Sequence, residues 1–161
     1  MKQLWAPWRM EFIKKSHLKK KSGCIFCDLP KKGPTAKTLV LYKGENAFVI
    51  LNRYPYSNGH LMVVPNRHTN DFTKLKAAEH REMGELVGKC IEILKIEMKA
   101  QGYNVGMNLG DVAGAGIKEH LHYHVVPRWK GDTNFMPIMA GARVLPEALD
   151  ASYHKLKKYF K

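Results

Sequence analysis

Three histidines at alternate positions constrain this chain more than any other feature of its sequence. They lie in the segment His120-Leu121-His122-Tyr123-His124-Val125-Val126. Because side chains alternate between the two faces of a β-strand, the pattern predicts a strand with all three histidines on one face. Neighbouring histidines would then be about 6.6 Å apart at Cα, and the outer two about 13 Å. One metal ion could bind two adjacent imidazoles but hardly all three, so the histidines are expected to divide their roles.

The chemistry of such a row is that of neutral imidazole, which acts as a nucleophile, acid, base or ligand. A glycine-rich loop, Gly110–Gly116, precedes the histidines, and its backbone N–H groups are suited to phosphate oxygens. The combination favours chemistry at phosphorus, in which one ring attacks and a neighbour stabilises or protonates. Three solvated surface histidines are the simpler alternative, which the strict alternation disfavours. As a dinucleotide-binding fingerprint the loop is poor, because a third glycine and a following helix are missing.

The composition indicates one compact, strongly basic domain. The chain has 161 residues, of which 45% are hydrophobic, and 27 Lys and Arg against 14 Asp and Glu give a net charge of +13. Such a chain is expected to meet nucleic acid, a membrane surface or a phosphorylated small molecule, although a solvated lysine-rich surface would give the same balance. No run approaches the roughly 18–20 apolar residues of a membrane helix. Three cysteines do not make a disulfide framework, so we expect a soluble cytoplasmic protein without a membrane span.

Periodicity predicts an antiparallel α+β fold with one long helix and a C-terminal helix. The long amphipathic helix is expected over Ala77–Ala100, closed by Gly102. The C-terminal helix is expected to start at Pro146-Glu147. It should bury four residues, namely Leu149, Tyr153, Leu156 and Phe160. Five strands are predicted, namely Leu39–Tyr42, Ala47–Leu51, His60–Val64, Tyr103–Leu109 and His120–Val126.

The domain over residues 1–161 is divided into a basic N-terminal segment, 1–23, a core, 24–130, and a C-terminal extension, 131–161. Two further expectations concern single residues. Cys90 lies on the apolar face of the long helix and is expected in the core. His154 falls on the last helix and is expected to face solvent.

The histidine pattern resembles that of the histidine triad superfamily, and specifically its branch of nucleotide hydrolases and transferases. Related segments precede the triad, namely Cys24–Cys27, Leu51–Pro55, Asn58–Pro65 and Arg67-His68. Three more resemble the bacterial dinucleoside-polyphosphate phosphorylase group, namely Trp5–Arg9, Pro127–Trp129 and Gly131–Phe135. The resemblance covers nearly the whole chain. It implies an α+β sheet, doubled in a homodimer, that acts on an adenine nucleotide with a phosphoanhydride or phosphoramidate bond.

The resemblance also implies roles for individual residues. His122 would attack the α-phosphorus and form a covalent nucleotidyl-histidine intermediate, and His124 would contact the phosphates and help the leaving group depart. Asn108 would help to fix the phosphates, Asn52 would contact the ribose, and His60 would line the pocket. Many members carry Gln or Ser just before the triad, where this chain has only the backbone amides of three small residues, Gly114, Ala115 and Gly116.

The spacing Cys24-x-x-Cys27 is that of half a zinc site. A redox pair or two buried thiols could have the same spacing. The resemblance implies that His68 and His120 complete a Cys₂His₂ site, with His17 and His80 as substitutes for His68. Four protein ligands leave no position for water, so one structural zinc per chain is expected, without an organic cofactor.

The leading hypothesis is therefore an enzyme that cleaves dinucleoside polyphosphates, such as diadenosine tri- or tetraphosphate, with water or phosphate as the acceptor. A nucleoside phosphoramidase would use the same adduct. A zinc-stabilised nucleotide- or nucleic-acid-binding protein with little turnover is the alternative from another class. Nucleic acid is the weaker partner, because no binding motif is present and the aligned histidines would be unexplained.

Overall fold

The computed structural model describes residues 23–132 and 147–161, and the predictions for Trp5–Arg9, Pro146 and Thr133–Phe135 lie outside them. The described residues form three α-helices, namely α1 (Ile25–Asp28), α2 (Ala77–Met98) and α3 (Leu149–Lys157). They also form five strands, namely β1 (Val40–Lys43), β2 (Ala47–Leu51), β3 (Leu61–Pro65), β4 (Gly102–Met107) and β5 (Tyr123–Arg128). The division of the chain at residues 23 and 131 stays a prediction.

The five strands form one sheet in the order β1-β2-β3-β5-β4, and every neighbouring pair is antiparallel. The predicted antiparallel α+β fold is therefore confirmed. Strand β5 lies between β3 and β4, where His124 pairs with Met62 on one side and Gly106 on the other. This central position gives the last histidine of the triad a rigid support on both sides.

The long helix covers the sheet and forms the core with it. Helix α2 packs against β2, β3 and β5, and α3 packs against β1 and α2. The inward residues of α2 are buried, namely Met83, Leu86, Cys90, Ile93 and Leu94. Cys90 is fully buried, as predicted, and burial raises the pKa of its thiol to about 12, so it remains a protonated apolar side chain.

Several predicted boundaries are wrong by one to three residues; β1 and β3 each lie one residue later than predicted, and β4 runs over Gly102–Met107 rather than Tyr103–Leu109. Strand β5 begins at Tyr123 rather than His120, because the Leu121 N–H donates to the Thr69 carbonyl at 2.8 Å and not to a neighbouring strand. Helix α2 ends at Met98, since Lys99 itself adopts the left-handed conformation at φ 54°. Gly102, predicted to close the helix, is instead the first residue of β4.

The C-terminal helix begins at Leu149, two residues after the predicted Glu147. The predicted inward residues Tyr153, Leu156 and Phe160 are buried, and Leu149 is partly buried against the core. His154 faces solvent, as predicted, with 67% of its side chain exposed. None of the helices in the described ranges is long and apolar enough to cross a membrane.

Candidate active site

A cavity that opens to solvent lies beside the end of the sheet where β5 begins. Five of the predicted site residues line it, namely Asn52, Gly114, Gly116, His122 and His124. Its walls are mostly apolar, with side chains from the segment that includes α1 and from β2, β3 and the loops beside them, namely Ile25, Phe26, Leu29, Leu39, Ile50, Leu51, Met62 and Ile117. An apolar slot with a few polar groups at one end is the usual form of a small-molecule site.

The orientation of the His122 ring is set by the backbone. Its Nδ1 lies 3.0 Å from the His120 carbonyl oxygen. A carbonyl only accepts, so Nδ1 carries the proton and Nε2 keeps its lone pair. Burial lowers the pKa of His122 below its usual 6.5, while the bond to the His120 carbonyl opposes this less strongly. The ring is therefore a neutral imidazole with Nε2 available as a nucleophile in the cavity that it lines.

The His124 ring is oriented by a chain of hydrogen bonds that begins at another backbone group. The Tyr56 N–H lies 3.1 Å from His60 Nδ1, and His60 Nε2 lies 2.9 Å from His124 Nδ1. A backbone N–H only donates, so His60 Nδ1 accepts and His60 Nε2 carries the proton that it donates to His124. The proton of neutral His124 is then on Nε2. His122 and His124 thus have opposite tautomers, although their rings lie only 4.7 Å apart between centroids.

His60 lies behind the cavity rather than in its wall. It is fully buried, and the cavity is lined by His124 in front of it. His60 therefore contacts His124, whereas the family resemblance implied that His60 would line the pocket. His60 is thus placed to orient His124 and not to contact a ligand.

Sequence reasoning missed Tyr56, which lines the cavity beside both of these histidines. Its ring centroid lies 4.7 Å from that of His60 and 5.7 Å from that of His124, with tilts of 38° and 31°. An aromatic residue in the loop between β2 and β3 was the available signal, but its contacts depend on β3 and β5 lying side by side.

The glycine-rich loop meets the cavity at Gly114 and Gly116. The N–H of Gly114 donates to the Asp111 carbonyl at 2.9 Å, and the N–H of Ala115 donates to the Gly110 carbonyl at 3.4 Å. These two amides close the turn of the loop. Their predicted bonds to phosphate oxygens would require this turn to open, and Ala115 does not line the cavity.

The two predicted asparagines are placed differently. Asn52 lines the cavity, and its Oδ1 accepts from the Tyr54 N–H at 2.9 Å while its Nδ2 lies 3.3 Å from His60 Nδ1. It therefore orders the loop around His60 as well as facing the cavity. Asn108 is half-buried just after β4 and lies outside the cavity wall. Its predicted contact with phosphates stays a prediction.

The four predicted zinc ligands come together in one group. The ligand atoms of Cys24, Cys27, His68 and His120 all lie within 4.8 Å of one another. Sγ of Cys24 and Nδ1 of His120 are 3.4 Å apart, as are Sγ of Cys27 and Nδ1 of His68. Tetrahedral zinc with ordinary bond lengths separates sulfur and nitrogen ligands by about 3.6 Å. Distances and donor types therefore both fit a closed zinc site.

The His120 ring is also held in the form that a metal requires. Its Nε2 lies 2.8 Å from the Pro65 carbonyl oxygen, so Nε2 carries the proton and Nδ1 faces the cysteines with its lone pair. Burial lowers the pKa of His120 to about 4, which keeps the ring neutral. Burial and then the neighbouring Cys24 raise the pKa of Cys27, an effect that a bound metal cation would oppose.

An ion pair fixes the loop that carries His68. The guanidinium of Arg67 donates from Nε and one terminal nitrogen to both oxygens of Glu79, at 2.8 Å each. Glu79 also accepts from the Lys76 N–H at the start of α2. Hydrogen bonding from Arg67 is the main reason that the pKa of Glu79 falls to about 2. Because His68 follows directly, this pair ties the metal site to the long helix.

Of the two predicted substitutes for His68, His17 lies outside the described residues and His80 packs against Phe72 with 4.8 Å between ring centroids. In the part of the chain that the structure describes, only Cys24, Cys27, His68 and His120 form a group of three or more residues able to hold a metal. The predicted ligand set is thus the one that the fold assembles.

The fold and site define a class of protein: an antiparallel α+β domain with two neighbouring imidazoles of opposite tautomers in one cavity, beside a Cys₂His₂ cluster. The chain belongs to the histidine triad (HIT) family, since the model of the HIT domain matches residues 34–131. The chain is 37% identical over 155 residues to the AP-4-A phosphorylase of Mycobacterium tuberculosis. The aligned residues cover 92% of this chain and 79% of that protein.

Two further comparisons bear on the same family. The bis(5'-adenosyl)-triphosphatase of Saccharomyces cerevisiae is 32% identical over 95 residues, which cover 56% of this chain and 44% of that protein. The crystal structure of a Zn-bound histidine triad family protein from Mycobacterium smegmatis matches with a TM-score of 0.66 and 25% identity. That match covers 85% of this chain and 92% of the other.

Proposed function

We propose that this protein cleaves dinucleoside polyphosphates by transferring a nucleotidyl group to His122. The observation that carries the proposal is the bond from His122 Nδ1 to the His120 carbonyl, which leaves a neutral Nε2 in the cavity. The substrate class is supported by the similarity to an AP-4-A phosphorylase over most of the chain. The apolar walls of the cavity suit a purine base, and its polar end at His122 and His124 suits the phosphates.

In the proposed reaction, Nε2 of His122 attacks the α-phosphorus and forms a P–N bond. The P–O bond to the leaving polyphosphate breaks, and the leaving oxygen departs as an anion that accepts a hydrogen bond from Nε2 of His124, which keeps its proton. Water or inorganic phosphate then attacks the same phosphorus, and the P–N bond breaks to release the nucleotide and neutral His122. The proton of the attacking group passes to solvent as the product phosphate ionises, so both rings end in the forms in which they began. The Cys₂His₂ zinc takes part in no step and would hold the polypeptide around the site.

The experiment that tests this function is incubation of the purified protein with diadenosine tri- and tetraphosphate, with and without inorganic phosphate. A hydrolase releases AMP in both conditions, whereas a phosphorylase forms ADP from the attacked adenylyl group only when phosphate is supplied. A trapped adenylyl adduct on His122 would identify the intermediate. Binding of AMP without cleavage of either compound would favour the binding protein instead, and cleavage of adenosine phosphoramidate alone would favour the phosphoramidase.

Replacing His60 with phenylalanine should lower kcat by about 10²-fold, because the variant fills the space but cannot hold His124 with Nε2 protonated. The affinity for AMP should change by less than about threefold, since His60 does not line the cavity. Steady-state kinetics measures kcat, and calorimetry measures the affinity for AMP. His60→Gln supplies an amide donor to His124 and should recover part of the rate. Equal losses in both variants would contradict the role of the hydrogen bond.

The dependence of kcat/KM on pH should follow the protonation of the His122 ring. Burial lowers the pKa of this ring below its usual 6.5, so the ring is still mostly neutral at pH 6.5. Protonation removes the nucleophile only at lower pH. We therefore expect kcat/KM to stay flat between about pH 8 and 6.5 and to fall below 6.5. The zinc content is measured at each pH as the control. A half-maximal value above pH 6.5 with zinc retained would contradict the assignment.

We also propose that the protein forms a homodimer through β4. Within the described residues β4 is the edge of the sheet, and Val105 on it and Leu109 just after it are 44% and 45% exposed. An open strand edge with exposed apolar residues is suited to pairing with a second copy. Val105→Asp should shift the protein from dimer to monomer in sedimentation velocity. A monomeric wild-type protein at micromolar concentration would contradict the proposal.

A further inference from the structure

One short helix belongs to both the metal site and the cavity. Cys24 and Cys27, two of the metal ligands, enclose Ile25 and Phe26, both of which line the cavity. Helix α1 has only four residues, and its backbone bonds are few, such as Cys27 N–H to the Cys24 carbonyl at 3.0 Å. Isolated helices of this length are not stable. The position of this cavity wall therefore depends on the groups that hold α1 from outside.

The ring of Phe26 packs against both sites. It is 1% exposed, and its centroid lies 5.6 Å from that of His120 and 5.0 Å from that of His122. The interplanar angles are 85° and 63°, so both contacts are edge-to-face, a favourable arrangement for rings. One side chain thus touches both a metal ligand and the attacking histidine.

The metal and a nucleotide would order the same helix. The metal draws Cys24 and Cys27 onto His120 and His68, and a base in the cavity would press on Ile25 and Phe26 from the other side. A ligand that orders a segment lowers the cost of ordering for a second ligand that needs the same segment. The effect must be reciprocal, because each ligand changes the affinity for the other by the same factor.

We propose that Phe26 is a positioning residue through which zinc and nucleotide bind cooperatively. The proposal rests on the proposed nucleotide site and adds a thermodynamic link between that site and the metal. Zinc binding sets the place of Phe26 against His122 and completes the apolar wall. Nucleotide binding, in turn, retains the metal. The expected coupling is about tenfold in affinity, within the usual range for two linked sites.

The test is a cycle of binding measurements on the full-length protein. The AMP dissociation constant is measured by calorimetry on zinc-loaded and chelator-stripped protein, and the zinc dissociation constant by competition with a chromophoric chelator, with and without saturating AMP. Stripping should weaken AMP binding about tenfold, and AMP should tighten zinc binding by the same factor. An AMP affinity that does not depend on zinc, together with a zinc affinity that does not depend on AMP, would overturn the coupling but not the proposed function. No AMP binding to zinc-loaded protein would overturn the proposed function and the coupling together.

Circular dichroism of the stripped protein is part of the same test. A retained spectrum supports a local effect on α1, whereas loss of the sheet signal would overturn the proposal, because zinc would then act on the whole fold. Phe26→Leu should still bind one zinc but reduce the coupling to less than about twofold. Phe160→Leu is the matched control, because it makes the same substitution at a buried ring that packs on Tyr42. This variant should keep the full coupling between zinc and AMP. Undiminished coupling in Phe26→Leu would assign the effect to other residues and overturn the role of Phe26.

Discussion

Replacing His122 with asparagine should lower kcat for diadenosine tetraphosphate by about 10⁴-fold or more, as expected when a covalent nucleophile is removed. The asparagine amide can still donate to the His120 carbonyl, which now accepts from His122 Nδ1 at 3.0 Å. It offers no basic nitrogen where Nε2 stood. The loss should therefore fall on the chemical step, and AMP affinity should stay within about threefold. Single-turnover kinetics and calorimetry measure the two quantities separately.

His154→Asn is the matched control for this variant, because His154 lies on α3 with 67% of its side chain exposed. It should leave both kcat and AMP affinity unchanged. A second comparison uses mass spectrometry of protein quenched with denaturant at alkaline pH, because the P–N bond of the adduct hydrolyses in acid. The wild type should gain the mass of one adenylyl group, and His122→Asn should gain none. An adduct that persists in His122→Asn would place the nucleophile elsewhere.

Replacing Cys24 and Cys27 together with serine should remove the metal and destabilise the fold. Serine keeps the size of the side chain but is a poor zinc ligand, and two ligands, His68 and His120, do not hold zinc in a closed site. A zinc ion present at about 1,000 times its dissociation constant adds about 4 kcal/mol to stability. For a domain of this size the corresponding fall in Tm is about 10 °C.

Metal analysis should find one zinc per wild-type chain and less than about 0.1 in the double variant. Cys90→Ala is the matched control, since Cys90 is buried on α2 and is not part of the metal cluster. It should keep one zinc even where the lost packing lowers Tm. Wild-type protein that holds no metal after incubation with zinc, and that melts at the same temperature with and without chelator, would contradict the assignment.

Much of the fold follows from local patterns in the sequence. Strand β2 has the predicted bounds, Ala47–Leu51, because a run of apolar residues between turn signals is typical of a buried strand. Helix α2 begins at the predicted Ala77, six residues before Met83, the first of its buried apolar residues. Its end could not be predicted, because Lys99 adopts a conformation for which glycine is the usual residue.

The triad shows the limit of such patterns. Alternation predicted a strand from His120, but His120 and His122 lie before β5, where the segment bonds to Pro65 at the end of β3 and to Thr69 in the loop after it. The sequence does not indicate these partners, because they are more than 50 residues away along the chain. The cavity contacts of Phe26 and Tyr56 were missed for the same reason.

The sequence by itself determined the fold class, the histidine row and the residue types of the metal cluster, since each depends on residue identity and short spacing. Only the tertiary structure decided which nitrogen of each ring carries its proton. The Pro65 carbonyl, the His120 carbonyl and the Tyr56 N–H set the tautomers of His120, His122 and His124 in turn, the last through His60. Imidazoles of identical composition are thereby suited to three different proposed roles, a metal ligand, a nucleophile and a hydrogen-bond donor, because a backbone group that only accepts or only donates admits one tautomer.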